Sequence, residues 1–324
     1  MREMDKKKML ICGATGFIGK NLTRYYAKQG KYDIVAVYNN KKPFAELENV
    51  LWTQADLNNP QDVKRVLSGI SIVLQFAATT SGSKDITSQP YIHVTDNAVM
   101  NSLLLRGCYE AGVEHFVFPS CTVMYQPNDL KIAESDFNPS DEIIPKYFGV
   151  GNTKVYIEKM CQFYSRLKKT KHTVIRHSNI YGPYDKYDLE KSHVFGATVT
   201  KVMTSLDKVV VWGDGEEARD LLHVDDLISF VDSALEKQNS FYELYNVGCG
   251  YATKIKDLVA NIIQLSGKKL DIEHDLTKPT IKTTVFLNCD KAKNDLGGTP
   301  KISLENGIKS TLSWYKKNIL TAAE

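Results

Sequence analysis

The chain has no apolar run approaching the roughly 20 residues that a membrane-spanning helix needs. It has no excess of one charge either: 41 lysines and arginines against 38 acidic residues leave a formal net charge of +3. That is too little to argue for a nucleic-acid partner. Its six cysteines, at positions 12, 108, 121, 161, 249 and 289, lie far apart and follow neither metal-ligand spacing nor a disulfide framework. No metal site is expected, and the cysteines read as reduced thiols of a cytoplasmic protein, most of them small core residues. Internal repeats and low-complexity tracts are absent as well. Residues 1–8 are polar and basic and lead straight into a strand pattern, unlike a signal peptide. The rest is ordinary: 324 residues, 43% hydrophobic and 24% charged, suit one large or two fused domains around a sizeable core.

What stands out is Gly13-Ala14-Thr15-Gly16-Phe17-Ile18-Gly19, directly after the apolar run 9–12. A strand ending in closely spaced glycines and running into a helix brings backbone N–H groups and the positive helix end to a diphosphate. The following residues keep a helical apolar period (Phe17, Ile18, Leu22, Tyr25, Tyr26), and Gly30 is a natural stop. This context predicts a dinucleotide site. The second strand, 34–37, runs into Tyr38-Asn39-Asn40-Lys41-Lys42 with no carboxylate to take the ribose hydroxyls. Amides and lysines suit a 2′-phosphate, which favours NADP over NAD; the alternative is a basic solvated loop.

Strand patterns at 9–12, 34–37, 50–52, 72–76, 115–118 and 172–176 alternate with helical ones at 17–29, 60–67, 96–111 and 153–167. The alternation predicts an α/β fold with a doubly wound parallel sheet. Asp56, after the third strand, is either an adenine contact or a turn residue. Beyond Arg176 the regularity fades into a turn-rich aromatic connector, residues 181–187, then helices at 225–236 and 254–265 among short extended pieces. The expected division is a dinucleotide-binding domain over 1–177 and a smaller substrate lobe over 178–324.

Several phrases converge in order: the glycine loop; Ser120-Cys121-Thr122-Val123; Lys154 followed by Glu158; Arg176 through Asn179 to Tyr181-Gly182-Pro183; Ser192-His193-Val194; and Trp212-Gly213-Asp214-Gly215 before Arg219 to Asp226. Over nearly its whole length the chain resembles the extended short-chain dehydrogenase/reductases that modify nucleotide sugars. Within them it is most similar to the NADP-dependent branch that combines 3,5-epimerisation with 4-keto reduction of GDP-sugars. The resemblance implies a nucleotide-sugar substrate, a homodimer through helices 96–111 and 153–167, and no membrane or nucleic-acid partner. Those helices also carry apolar residues on more than one face. Along the cofactor the resemblance assigns Gly13, Thr15, Gly16, Phe17, Ile18, Gly19, Asn39, Lys41, Asp56, Leu57, Ala77, Ala78 and Lys154.

The family's chemistry uses a tyrosine and a lysine four residues apart, the ammonium lowering the phenol's pKa from about 10. Lys154 is present, but the position four residues earlier is Val150, which neither donates nor accepts a proton. Three explanations stand open: Tyr147 reaches into the site, although it is expected on a different helix face; hydride chemistry at C4 is impaired; or Ser120, a water or the sugar's own hydroxyl transfers the proton. The resemblance further implies Ser120 as the hydroxyl at the substrate C4 oxygen and Cys121 (or Thr122) as one epimerisation group. His193 becomes its partner, and Asn179, Arg219, Lys278 and, more weakly, Lys282 become substrate contacts. Arg219 either forks onto the nucleotide diphosphate or pairs with Asp225 or Asp226. The acidic pair that a dehydratase requires is replaced by Thr122-Val123. An NAD-dependent 4-epimerase or dehydrogenase, or a nucleotide-sugar binder without turnover, remain the other readings.

Overall fold

The structure, a computed structural model, describes residues 6–79, 89–189, 192–278 and 284–321. In chain order the main elements are β1 (Lys8–Cys12), α1 (Phe17–Gln29), β2 (Asp33–Tyr38), β3 (Val50–Gln54), α2 (Pro60–Val66), β4 (Ile72–Gln75), α3 (Pro90–Ala111), β5 (His115–Pro119), α4 (Phe148–Arg166), β6 (Lys171–His177) and β7 (Asn179–Tyr181). There follow α5 (Val194–Thr204), β8 (Lys208–Trp212), β9 (Ala218–Arg219), β10 (Leu221–His223), α6 (Val224–Lys237), β11 (Tyr242–Val247) and β12 (Thr253–Lys254). The described chain ends with α7 (Ile255–Ser266), β13 (Asp271–Asp275), β14 (Thr284–Val285), α8 (Asp290–Leu296) and α9 (Leu304–Tyr315).

Seven parallel strands form the central sheet in the order β11-β6-β5-β4-β1-β2-β3. Its strands are apolar on both faces because helices cover both. Met9 and Ile11 of β1 point to the side where Leu22 and Tyr26 of α1 and Leu227 and Val231 of α6 pack. Leu10 and Cys12 point to the other side, against Val63 of α2, Leu104 and Cys108 of α3, and Ile157 and Cys161 of α4. This is the expected α/β doubly wound architecture. A separate core of Tyr181, Phe195, Val199, Leu258, Ile262, Ile308 and Leu312 holds the smaller lobe together.

The linear boundary at 177/178 is crossed twice. β11 pairs with β6 at the sheet's edge, and α6 lies on the sheet beside α1. β6 thereby gains the partner that an edge strand lacks. Helices α3 and α4 begin six and five residues earlier than the sequence suggests, respectively at Pro90 and Phe148. In α4 the early turns contain Gly149 and Gly151, which weaken any helical signal. A Cβ at Gly149 would stand 2.9 Å from Val94 Cγ2, so this glycine lets α3 and α4 approach closely. Helices α5, α8 and α9 fall where no helix was expected.

The six cysteines are free thiols, three of them buried. Among the described residues no group of side chains is arranged to hold a metal ion, and no helix is long and apolar enough to cross a membrane.

Candidate active site

The turn between β1 and α1 is built on close backbone approach. Gly13 has φ +71°, and a Cβ there would lie 2.7 Å from the Ala77 Cα at the end of β4. A Cβ at Gly19 would lie 2.1 Å from the Gly13 carbonyl oxygen. Gly16 caps α1 without a side-chain hydrogen bond, and apart from the Gly13 oxygen its Cβ direction meets open space. No acidic residue occupies the first turn of α1. Free N–H groups, the positive helix end and open space together fit a dinucleotide diphosphate.

The other cofactor positions surround this turn. Thr15 is buried, Phe17 and Ile18 are half-buried, and Ala77 and Ala78 follow β4 on the sheet's carboxyl side. Leu57 is a core residue of the α2–α3 side. Asp56 is exposed, and one carboxylate oxygen accepts the Asn58 amide, so the turn role is observed. Asn39 and Lys41 are exposed just past β2; the Asn39 carbonyl accepts a hydrogen bond from Gln54.

At the carboxyl ends of β5 and β6 the reactive side chains gather. Lys154 donates to the Pro119 carbonyl at 2.7 Å and lies over the Phe118 ring. Burial lowers its pKa, partly opposed by Cys121 and Glu158. Cys121 is half-buried, and burial raises its pKa while Lys154 and a hydrogen bond from the Val123 amide draw it down. Tyr147 completes the group: burial raises its pKa, Arg219 lowers it and Cys121 raises it, so its phenol lies within electrostatic reach of both. The short turn Pro145–Tyr147 runs directly into α4, and Tyr147 is half-buried at the start of that helix.

Ser120 is not in this group. Its side chain is fully buried and donates to Glu158 at 2.5 Å. Glu158 also receives a bidentate pair from Arg176 at 3.0 and 2.6 Å. Arg176 continues to the Tyr125 hydroxyl and on to Asn246. This buried network fixes the floor beneath Cys121 and Lys154. Thr122 takes part in a turn, its carbonyl accepting the Tyr125 amide.

His193 is the exposed N-cap of α5, and desolvation, then Lys186, lowers its pKa. A residue that sequence reasoning missed is His177, which feels the charges of both Lys154 and His193. Its Nδ1 lies 2.7 Å from the Ser178 carbonyl, which fixes Nδ1 as the protonated nitrogen. Burial lowers its pKa to about 4, with smaller contributions from Lys154 and His193. Its place between Arg176 and Asn179 was the available signal.

The substrate candidates are spread along the second lobe. Asn179 is tied to the Asp220 carbonyl through its amide group at 3.2 Å. Arg219 bonds the Ala218 carbonyl and lies beside Tyr147. Asp226 receives the amides of Lys301 and Ile302, and Asp225 sits 3.6 Å from His223. Lys278 is exposed near the Trp212 ring. Lys282 lies outside the described residues.

Known proteins share the fold and the family. GDP-L-fucose synthase 1 of Arabidopsis thaliana is 27% identical over 96% of this chain and 94% of that protein. UDP-glucuronate 4-epimerase of Thermodesulfobacterium geofontis is 27% identical over 96% of each. Among solved structures, UDP-glucose 4-epimerase of Thermotoga maritima with UDP-glucose superimposes with a TM-score of 0.83 at 26% identity, over 96% of this chain and 99% of that one. UDP-glucuronic acid 4-epimerase of Bacillus cereus, in complex with UDP-glucuronic acid and NAD, shares the fold at 24% identity and a TM-score of 0.82, over 96% and 99%. The family model matches residues 9–248. The chain belongs to the NAD dependent epimerase/dehydratase family, whose members modify nucleotide sugars.

Proposed function

We propose that the chain is an NADP-dependent enzyme of the GDP-L-fucose-synthase type, a 3,5-epimerase and 4-ketoreductase of a 4-keto-6-deoxy (or related) GDP-hexose. The observation that supports the reading is Lys154 bonded at 2.7 Å to the Pro119 carbonyl at the end of β5, just before Cys121, with electrostatic coupling that links Lys154 to Cys121 and His177, Cys121 to Tyr147, and His177 to His193. Carbon atoms beside a ketone are acidic, so a thiolate at Cys121 can take a proton there. His193, approaching from another side, returns it. A bound nicotinamide supplies the hydride for C4. Tyr147 gives its proton to the C4 oxygen, and Lys154 and Arg219 stabilise the charge left on the phenol. Arg219 and Asn179 hold the nucleotide side of the substrate, and Lys278 the rim.

The test is incubation of a GDP-4-keto-6-deoxyhexose with the protein and NADPH in heavy water. Deuterium should enter at C3 and C5, one NADPH being consumed per product. Interconversion of UDP-sugars at C4 without exchange would instead establish an NAD-dependent 4-epimerase or dehydrogenase. The likeness to a UDP-glucose-bound 4-epimerase favours this second reading; NAD retained through dialysis would support it. Val150 favours a third, a nucleotide-sugar binder, recognised by tight binding with neither exchange nor NADPH consumption.

A further inference from the structure

One cluster of cations lies beside the glycine turn and takes no part in the chemistry above. Lys20 directly follows Gly19, and Arg24 comes one helical turn later on the same face of α1. Both lie between two rings from distant segments. The Lys20 Nζ is 4.7 Å from the Phe44 centroid and 5.1 Å from that of Tyr184. The Arg24 Cζ is 5.9 and 5.4 Å from the same rings. Each ring is backed by a tryptophan: Phe44 meets Trp52 edge-on at 5.2 Å, and Tyr184 packs on Trp314 at 4.8 Å. Tyr184 holds φ +70°, a conformation that a tyrosine adopts only where its surroundings impose it.

Lys41, three residues past the end of β2, adds its charge. Burial, then Lys41, then Arg24 draw the Lys20 ammonium below its ordinary pKa. Among the described residues no carboxylate pairs with Lys20, Arg24 or Lys41. Two cations held against ring faces, with the like charge of Lys41 acting on one of them and no carboxylate paired with any of the three, form a site for an anion.

We propose that Lys20, with Lys41 and Arg24, holds the phosphomonoester on the adenosine ribose of NADP. The position determines which phosphate: in a parallel sheet of this kind the diphosphate lies on the first turn and the adenosine ribose beyond the end of β2. Lys20 reaches from the first of these places and Lys41 from the second. A phosphomonoester carrying nearly two negative charges matches such a cluster, and a bare ribose hydroxyl does not. Lys20 thus becomes the cofactor-specificity residue that the sequence did not single out. The inference rests on the NADP reading above.

Titration of the full chain, of Lys20→Gln and of Lys20→Arg with NADPH and with NADH, followed by nicotinamide fluorescence, tests both separately. NADPH should bind the native chain more tightly than NADH. Lys20→Gln should weaken NADPH about tenfold or more and change NADH by less than about threefold, since one charge-assisted contact to phosphate is lost. Lys20→Arg keeps the charge and should retain NADPH binding. Adenosine 2′-monophosphate should compete better than inorganic phosphate, because the ribose positions the anion. Equal weakening of both cofactors by Lys20→Gln, or no weakening, overturns Lys20 and leaves the NADP reading standing. NADH binding the native chain as tightly as NADPH overturns that reading and the phosphate site with it.

Discussion

At the residue scale the informative pair is Val150 and Tyr147. Tyr147 stands seven residues before Lys154 as the N-cap of α4, its backbone (φ −104°, ψ 4°) already outside the helical region. Burial raises the pKa of its phenol, Arg219 draws it down and Cys121 raises it. Tyr147→Phe should therefore lower ketone reduction by about 10²-fold or more, the range for losing a positioned acid. Cofactor affinity and C3/C5 exchange should change little. Single-turnover NADPH oxidation, read beside deuterium incorporation, separates these effects. Should Tyr147→Phe leave reduction intact while Val150→Tyr raises it steeply, the phenol is missing from the native chain and Tyr147 is a packing residue. The neighbouring Ser120 and Cys121 carry the same lesson about direction: both were legible as polar groups at a strand end. Only the packed structure shows the hydroxyl bonded to Glu158 and the thiol half-buried.

At the scale of elements the β1–α1 turn shows how a local motif depends on its neighbours. The glycine pattern was readable in the sequence because only glycine tolerates such positions. The reasons differ along it, however. Gly30, which ends α1 at φ +64°, has nothing within 4 Å of its missing Cβ, whereas Gly19 packs its α-carbon onto the Gly13 carbonyl. Gly19→Ala should push α1 off the turn, costing about 1–3 kcal/mol as an overpacked site and weakening both NADPH and NADH. Gly30→Ala should cost about 1 kcal/mol for the left-handed backbone and leave cofactor binding unchanged. Urea unfolding combined with cofactor titration distinguishes them. Equal cofactor affinity in the native chain and Gly19→Ala would show that the close approach does not shape the diphosphate site.

At the scale of the whole molecule the outward face of α3 and α4 is unusually apolar for a surface. The two helices pack side by side, linked by a hydrogen bond between Ser102 and Tyr156 at 3.1 Å. Tyr91, Val99, Tyr156 and Phe163 remain exposed, Tyr91 at 64% and Phe163 at 53%. Apolar residues grouped on adjacent helices mark a surface meant to be covered. A second copy meeting it across a twofold axis would bury all four on both sides. Light scattering at micromolar concentration should give twice the mass of one chain, and Phe163→Glu should shift it toward one. A single-chain mass for the native protein would remove the dimer.

The sequence by itself determined the alternating strands and helices of the first half, the dinucleotide turn and the order of the site phrases. These depend on neighbouring residues: the period of apolar positions, the freedom of glycine, the spacing of Lys154 and Glu158 along one helix. Tertiary structure alone decided what brings distant segments together. β11 returns from the second half to pair with β6. His177 comes under the electrostatic influence of Lys154 and His193. Phe44 and Tyr184, 140 residues apart in sequence, enclose Lys20. Such contacts have no local signature, because packing, not periodicity, selects which side chain faces the cleft and which faces the core.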